Sequence, residues 1–305
     1  MELAQLRYFA AVADALSFTE AAAKLRVSQP ALSYQIKQLE NELGARLFDR
    51  TSRKVSLTVD GSTFLPLAQT VLLKAEEATR VMEERLGVVT GSVRFGCIPS
   101  AAAYLVPPIL ASFAHNWPGI QVTLVETGAG DLERSVLDGS ADFAIISDPH
   151  APELLEVTEL MEEDLLLVLP HSHRLAHHDT VSVRELEHEP LIILGGAFTL
   201  GPQVLDLCRH AGFEPRVAYE TGALESVKSF VRNGLGIAVL PRMGLNSADE
   251  ATLTFVPFAE RVTRRLNLIR SKDRYATVAS RTLMVHVRAA ILSDHGSLGE
   301  SSRDG

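Results

Sequence analysis

Gln29, Pro30, Ser33, Tyr34 and Lys37 are spaced to share one face of a short helix. Together they offer an amide, a hydroxyl, an aromatic ring and a cation, the groups that meet base edges and phosphates in a DNA major groove. Arg50, Arg53 and Lys54 follow closely, a cationic cluster suited to phosphates or the adjoining minor groove. Elsewhere, His171, His173, His177 and His178 place imidazoles in an H-x-H-x3-H-H pattern, whose chemistry suits zinc or nickel. Gly234-x-Gly236 lacks a third glycine and follows no predicted strand, so a dinucleotide site is not expected. Glu162, Glu163 and Asp164 read as a solvated run. No nucleophile, base and orienting group emerge in order, so the sequence does not read as an enzyme, and nothing calls for a cofactor.

The elements that would hold the DNA-facing groups are legible in the spacing. Leu3, Leu6, Ala10 and Ala13 predict a helix over 3–14 with one apolar stripe. Ser17-Phe18-Thr19-Glu20 is a capping box at the head of a second helix, whose small residues Ala21 to Ala23 admit a close neighbour. Ser28 then caps a third helix over 29–43. Pro30 fits its first turn, Leu32, Ile36, Leu39 and Leu43 bury one face, and Gly44 stops it. Two short helices joined by a three-residue turn make a helix-turn-helix at about 18–37. Arg46 to Asp49 and Val55 to Thr58 are expected to pair as a hairpin, a wing with the basic cluster at its tip. From Thr58 to about Leu86 a long helix carries Phe64, Leu65, Leu72, Ala75, Thr79, Met82 and Leu86 as an apolar seam.

Beyond Gly87, strands at 92–98, 120–126, 141–146, 190–194, 216–220 and 236–241 alternate with helical stretches near 100–114, 131–138, 201–211, 223–233 and 277–293. Such alternation predicts parallel sheets with crossovers, which bind ligands outside the carboxyl ends of their strands. Ser100 follows a strand and opens a helix, so its hydroxyl and nearby amides suit an anion. Ser147 and Thr199 sit likewise at strand ends.

Residues 6–61 resemble the winged helix-turn-helix of LysR-type transcriptional regulators. Phe9, Ser17, Phe18, Ala21, Ala22, Leu25, Ser28, Gln29, Ser33, Ile36, Leu39, Glu40, Leu47, Phe48, Arg50, Leu57, Thr58 and Gly61 fall where that family has them. The body resembles the family's two-lobed effector domain, like that of periplasmic solute-binding proteins. Its cues are the spacing over Leu137 to Ile145, Leu167 to Pro170 with His173 to Ala176, and Val231 to Pro241. The resemblance implies a mixed α/β chain: a DNA-binding domain over 1–58, a dimerising linker helix over 59–87 and an effector domain over 88–305. Lobe one would span about 92–163 and 268–295, and lobe two about 164–267.

The same resemblance puts Ser28, Gln29, Pro30, Ser33, Tyr34, Lys37, Arg50 and Arg53 at DNA. Tyr34 departs from the basic or small polar residue frequent there. It sets Ser100, Gly128, Ser147, Phe198, Thr199 and Thr221 around an effector cleft. Ala101 to Ala103 replace the polar residues frequent after Ser100, which makes the pocket more apolar. The implied partners are double-stranded operator DNA, a small-molecule effector with carboxylates among the candidates, and further copies of the chain as a dimer and tetramer. The histidine cluster lies where the family carries a His-containing loop, so no metal is expected there.

Charge patterning agrees with a DNA partner despite the net charge of −9. Residues 1–58 hold eight Lys or Arg against six Asp or Glu, whereas the remainder holds 21 against 32, so a small basic module is joined to an acidic body. Hydrophobic content of 46% and charged content of 22% exclude a disordered or many-span chain. Phe95 to Val125 is uncharged, but Pro99, Pro107, Pro108 and Pro118 cut it into strand, helix and strand. Glu2, Arg7 and Asp14 break the N-terminus, so no secretory leader is expected and the reading is cytoplasmic. Cys97 and Cys208 lie 111 positions apart, with no disulfide framework or zinc spacing between them. Cys97 reads as core and Cys208 as partly exposed on a helix. The competing reading is a solute-binding protein without DNA activity, which residues 92–295 alone would support.

Overall fold

The computed structural model describes residues 1–50, 55–85, 91–195 and 199–298. The chain divides into two compact units, Met1–Val88 and Val89–Gly305.

In the first unit, α1 (Leu3–Ala15), α2 (Phe18–Leu25) and α3 (Gln29–Leu43) precede the strands β1 (Phe48–Arg50) and β2 (Val55–Leu57) and the long helix α4 (Val59–Arg85). Left-handed residues make the corners: Leu16 at φ 47°, Arg26 at φ 57° and Gly44 at φ 68°. Ser28 caps α3 by accepting from the Ala31 amide at 3.4 Å. Ser17 accepts from the Glu20 amide at 3.3 Å, so half of the expected capping box forms, while the Glu20 side chain stays exposed. The buried stripe of α1 is Gln5, Leu6, Phe9 and Val12 rather than the expected Leu3, Leu6, Ala10 and Ala13. Aromatic packing sets that phase, because Phe9 lies 5.4 Å from both Phe48 and Phe64, ring centre to ring centre.

The wing is tied to α3 through Glu40, whose carboxylate accepts from the amides of Leu47 at 2.8 Å and Phe48 at 3.2 Å. β1 and β2 pair antiparallel with Phe48 opposite Leu57, so the expected hairpin forms; its tip, with Arg53 and Lys54, lies outside the described residues. Thr58 joins the wing to α4, donating to the Arg46 carbonyl at 2.6 Å and accepting from the Gly61 amide at 2.9 Å. The seam expected along α4 is used differently. Phe64, Leu65 and Leu72 pack on the core of their own unit, and Thr79 is exposed. A separate row faces outward, with Val59, Leu67 and Val71 at 84%, 59% and 42% exposure. The side chains of Met82 and Leu86 lie outside the described residues.

In the second unit, β3 (Gly91–Cys97), α5 (Pro99–Tyr104), α6 (Val106–Asn116), β4 (Ile120–Glu126), α7 (Ala129–Asp138) and β5 (Phe143–Ser147) come first. Then follow β6 (Leu155–Pro170), β7 (Pro190–Leu194), α8 (Leu200–His210), β8 (Arg216–Thr221) and α9 (Leu224–Arg232). β9 (Ala238–Pro241), β10 (Leu253–Pro257), β11 (Thr263–Ser271) and α10 (Val278–Leu298) complete it. The helix expected over 100–114 breaks at Leu105, before Pro107 and Pro108. One core gathers Val93 to Leu160 with Leu266 to Ile291, and a second gathers Leu165 to Val262.

The sheets are mixed, not parallel throughout. β3 pairs parallel with β4 and β5, and β7 with β8, but β6 runs antiparallel to β9, β10 and β11. β6 crosses between the two lobes: its first half lies beside β11 and its second half beside β9 and β10. The glutamates of β6 face arginines of β11, in the register Glu156 to Arg270, Glu162 to Arg265 and Glu163 to Arg264. Glu163 is therefore not part of a solvated run. Its side chain and that of Arg264 are 5% and 4% exposed and form an ion pair, with the Arg264 Nε donating to Glu163 at 2.7 Å. The Met243 amide donates to the same carboxylate at 3.1 Å. Glu162 bonds Arg261 and accepts from Thr263 at the edge of the pair.

Two outcomes test this packing. A Cβ at Gly61 would meet the Leu47 carbonyl oxygen at 2.1 Å, so Gly61→Ala should force the wing off α4, lowering the melting temperature of residues 1–88. Arg264→Met, by stranding the buried Glu163 charge, should cost about 3–5 kcal/mol in denaturant unfolding, while the double change Glu163→Leu with Arg264→Met should recover most of it. Equal losses in the single and double variants would contradict a buried, paired charge.

Candidate functional site

Each unit carries one candidate site. In the first, Leu32, Ile36 and Leu39 of α3 are fully buried, which turns the opposite face outward. Ser28, Gln29, Pro30, Tyr34 and Lys37 are exposed there and Ser33 is half-buried. The Gln29 side-chain amide donates to the Ser33 hydroxyl at 3.2 Å, holding both groups in one orientation on the surface. Tyr34 is 60% exposed, with its ring spent on no core contact. Arg50 ends β1, at the start of the wing tip; Arg53 lies outside the described residues.

In the second unit, a cavity of about 250 Å³ opens between the lobes, at the carboxyl ends of β3, β4, β7 and β8. Ser100, Gly128 and Thr199 line it. Ser147 and Thr221 stand behind the wall. The Ser147 hydroxyl is 2.6 Å from that of Thr199, and the Thr221 carbonyl accepts from the Gly195 amide at 3.0 Å, leaving Gly222 and Ala223 as lining. Phe198 lies outside the described residues. Gly128 caps α7 and Thr199 caps α8, so the first amides of two helices lie at the cavity. Ile98, Ala103, Leu194, Leu200 and Leu224 make the walls apolar.

Sequence reasoning missed the charged residues of this cavity, Glu126, Glu225 and Arg264, and also Tyr104. The Tyr104 hydroxyl donates to Glu225 at 2.7 Å, across 121 positions of chain and from one lobe to the other. Lys228 lies beneath this bond, with no exposed side-chain surface, and reaches Glu225 at 2.5 Å, Asp249 at 2.9 Å and the Gly244 carbonyl at 3.1 Å. Burial pulls the Lys228 ammonium toward neutrality, but the carboxylates of Glu225 and Asp249 outweigh it and hold its pKa above the usual lysine range. Burial and the bond to Glu225 raise the Tyr104 hydroxyl.

The remaining chemistry-bearing groups are engaged elsewhere. His171 pairs with the Thr254 hydroxyl at 2.8 Å and His173 with Glu189 at 3.2 Å. No group of three or more His, Cys, Asp or Glu among the described residues is placed to hold a metal ion. Cys97 is core, as its strand implied; Cys208, expected to be partly exposed, is fully buried too, because the apolar face of α8 packs on β7. The two thiols belong to different cores, and burial pushes them up to about 12 and about 11. No described helix is long and apolar enough to cross a membrane.

Comparison with known proteins accounts for both units. Residues 3–62 match the bacterial regulatory helix-turn-helix proteins of the lysR family, and residues 87–291 match the LysR substrate binding domain. The uncharacterized HTH-type transcriptional regulator YcgK of Bacillus subtilis is 30% identical, over 100% of both chains. A full-length OxyR variant of Pseudomonas aeruginosa is similar in structure, with TM-score 0.74 and 25% identity over 95% of this chain and 94% of that one. Full-length CbnR, in complex with its target DNA, gives TM-score 0.72 at 25% identity over 95% of this chain and 100% of that one. The relatives are named as regulators of transcription rather than enzymes. With both halves matched in order, the chain belongs to the LysR family of DNA-binding transcriptional regulators.

Proposed function

We propose that this regulator binds double-stranded operator DNA as a homodimer and as a pair of dimers, in the cytoplasm, and that a small molecule in the cleft of residues 89–305 controls that binding or the bend it imposes. The outward polar face of α3, fixed by the buried Leu32, Ile36 and Leu39, carries the reading. Gln29 and Ser33 would read base edges, Ser28, Pro30 and Tyr34 would pack at the groove, and Lys37, Arg50 and Arg53 would meet phosphates. The outward row of Val59, Leu67 and Val71 on α4 supports pairing of two chains, since a solvent-facing apolar row on a helix gains by burial against its copy.

Ligand control requires a different affinity for two arrangements of the protein. The cleft supports it, because Tyr104 and Glu225 join the two lobes at its rim and both line it. Ser100, Gly128 and Thr199 would contact the effector, with Ser147, Phe198 and Thr221 shaping the wall.

A mobility-shift titration on the intergenic DNA upstream of the gene, at two salt concentrations and with nonspecific competitor, tests the reading. Saturable, sequence-dependent shifts are expected, and a solute-binding protein would give none. Gln29→Ala or Ser33→Ala should cost about 1–3 kcal/mol on the operator and little on random DNA, relaxing specificity. Arg53→Ala should weaken both nearly equally and lower the salt slope by about one. A salt slope unchanged by Arg53→Ala would remove the wing from the contact surface.

Thiol chemistry is not the proposed signal. Cys97 and Cys208, protonated at neutral pH, should resist alkylation in the folded chain and react fully in denaturant. Rapid modification of either in the native protein would reopen a redox role.

A further inference from the structure

The cleft presents a guanidinium at one end and carboxylates at the other. Toward the hinge, where β6 and β11 cross, stands Arg264, 4% exposed and lining the cavity. Its Nε donates to Glu163, and its Nη2, 2.6 Å from the same oxygen, completes the ion pair without being aligned for a hydrogen bond; Nη1 makes no hydrogen bond among the described residues. A guanidinium nitrogen that makes no hydrogen bond at a largely buried wall is costly, and a carboxylate arriving in the cavity would satisfy it. The Thr199 hydroxyl and the first amides of α8 lie at the same end, linked to β5 through Ser147.

The far end is anionic. Glu126 ends β4, the outer strand of the β4-β3-β5-β11 order, so three strand spacings, about 14 Å, separate its backbone from that of β11. Glu225 enters from the other lobe at the head of α9, which follows β8, the strand that β7 separates from β9. Both contacts to Glu225, from Tyr104 and from Lys228, fall on Oε1, so Oε2 keeps its capacity to accept. Glu126 is exposed at the rim. Between the two ends the walls are Ile98, Ala103, Leu194, Leu200 and Leu224.

We infer that the effector is a short apolar molecule with a carboxylate at one end and an ammonium group at the other, its carboxylate on Arg264 and Thr199 and its ammonium between Glu126 and Glu225. The inference rests on the cleft being the effector site, as proposed above. A simple carboxylate would satisfy Arg264 but leave an apolar tail against two carboxylates, and a simple amine would leave the Arg264 donor unpaired. The cavity, at about 250 Å³, is small for a drug-sized ligand and suits a compact one.

The test is calorimetric titration of the full-length protein with four six-carbon probes: 6-aminohexanoate, hexanoate, hexylamine and L-norleucine. 6-Aminohexanoate is expected to bind about tenfold or more tighter than either singly charged probe, since both charge-assisted contacts form only with it. Glu126→Gln, an exposed change that leaves the fold intact, should bring its affinity down to that of hexanoate and leave hexanoate unchanged or improved. Hexanoate binding as tightly as 6-aminohexanoate, or tighter binding of norleucine, whose charges share one end, would overturn the two-ended ligand while leaving the cleft as the binding site. Failure of all four probes to bind would also overturn it. Ala103→Trp, which fills the cavity, separates the two readings: binding that survives this change lies outside the cleft and sinks both.

Discussion

The crossing of β6 and β11 is the constraint on which the second unit depends. A single 16-residue strand runs through both lobes, so each lobe's core is built against the same piece of backbone. The Glu163–Arg264 pair sits at that crossing, and the Met243 amide draws a lobe-two segment onto the same carboxylate. Two charges taken out of water are expensive, and their attraction repays the cost only when each is well bonded. Glu163 accepts from both Arg264 and the Met243 amide, whereas Arg264 meets only Glu163 among the described residues, so the less satisfied of the two charges faces the cavity. The hinge is thereby specified by a paired charge, and the same charge is left with capacity for a ligand.

The first unit rests on a comparable division of one helix into two faces. Leu32, Ile36 and Leu39 bury one side of α3, Glu40 fixes its end to the wing through two backbone amides, and what remains is a rigid outward row. A recognition surface built on a helix whose back is close-packed holds its side chains in register without further support. α4 repeats the device, with Phe64, Leu65, Ala68 and Leu72 directed to its own core and Leu67 and Val71 outward.

These devices were unequally legible in the sequence. The bounds of α3 and its caps could be read outright, because Ser28, Pro30 and Gly44 act within one or two residues and the apolar period is local. The phase of α1 could not, because Phe9 is placed by Phe48 and Phe64, tens of residues away. β6 and β11 escaped for a different reason: the glutamates of one and the arginines of the other look solvated when each strand is read alone, and become cross-strand pairs only when the two are paired. Among the cleft residues, the strand-end hydroxyls of Ser100, Ser147 and Thr199 were readable as local signals, whereas Gly128 and Thr221 came only with the resemblance. Tyr104, Glu225 and Lys228 were not, since nothing at one position announces a partner on the other lobe.

That asymmetry explains where the family's likeness stops being informative. Fold and DNA-binding scaffold follow from local periodicity and caps, which many sequences satisfy in the same way. The chemistry of the cavity follows from a few long-range side-chain meetings, here Arg264 with Glu163 and Tyr104 with Glu225. The two cysteines make the same point from the opposite side. Cys97 closes β3 in one core and Cys208 lies in α8 against the other, so both thiols serve packing, and the cavity between the lobes is lined by other polar groups.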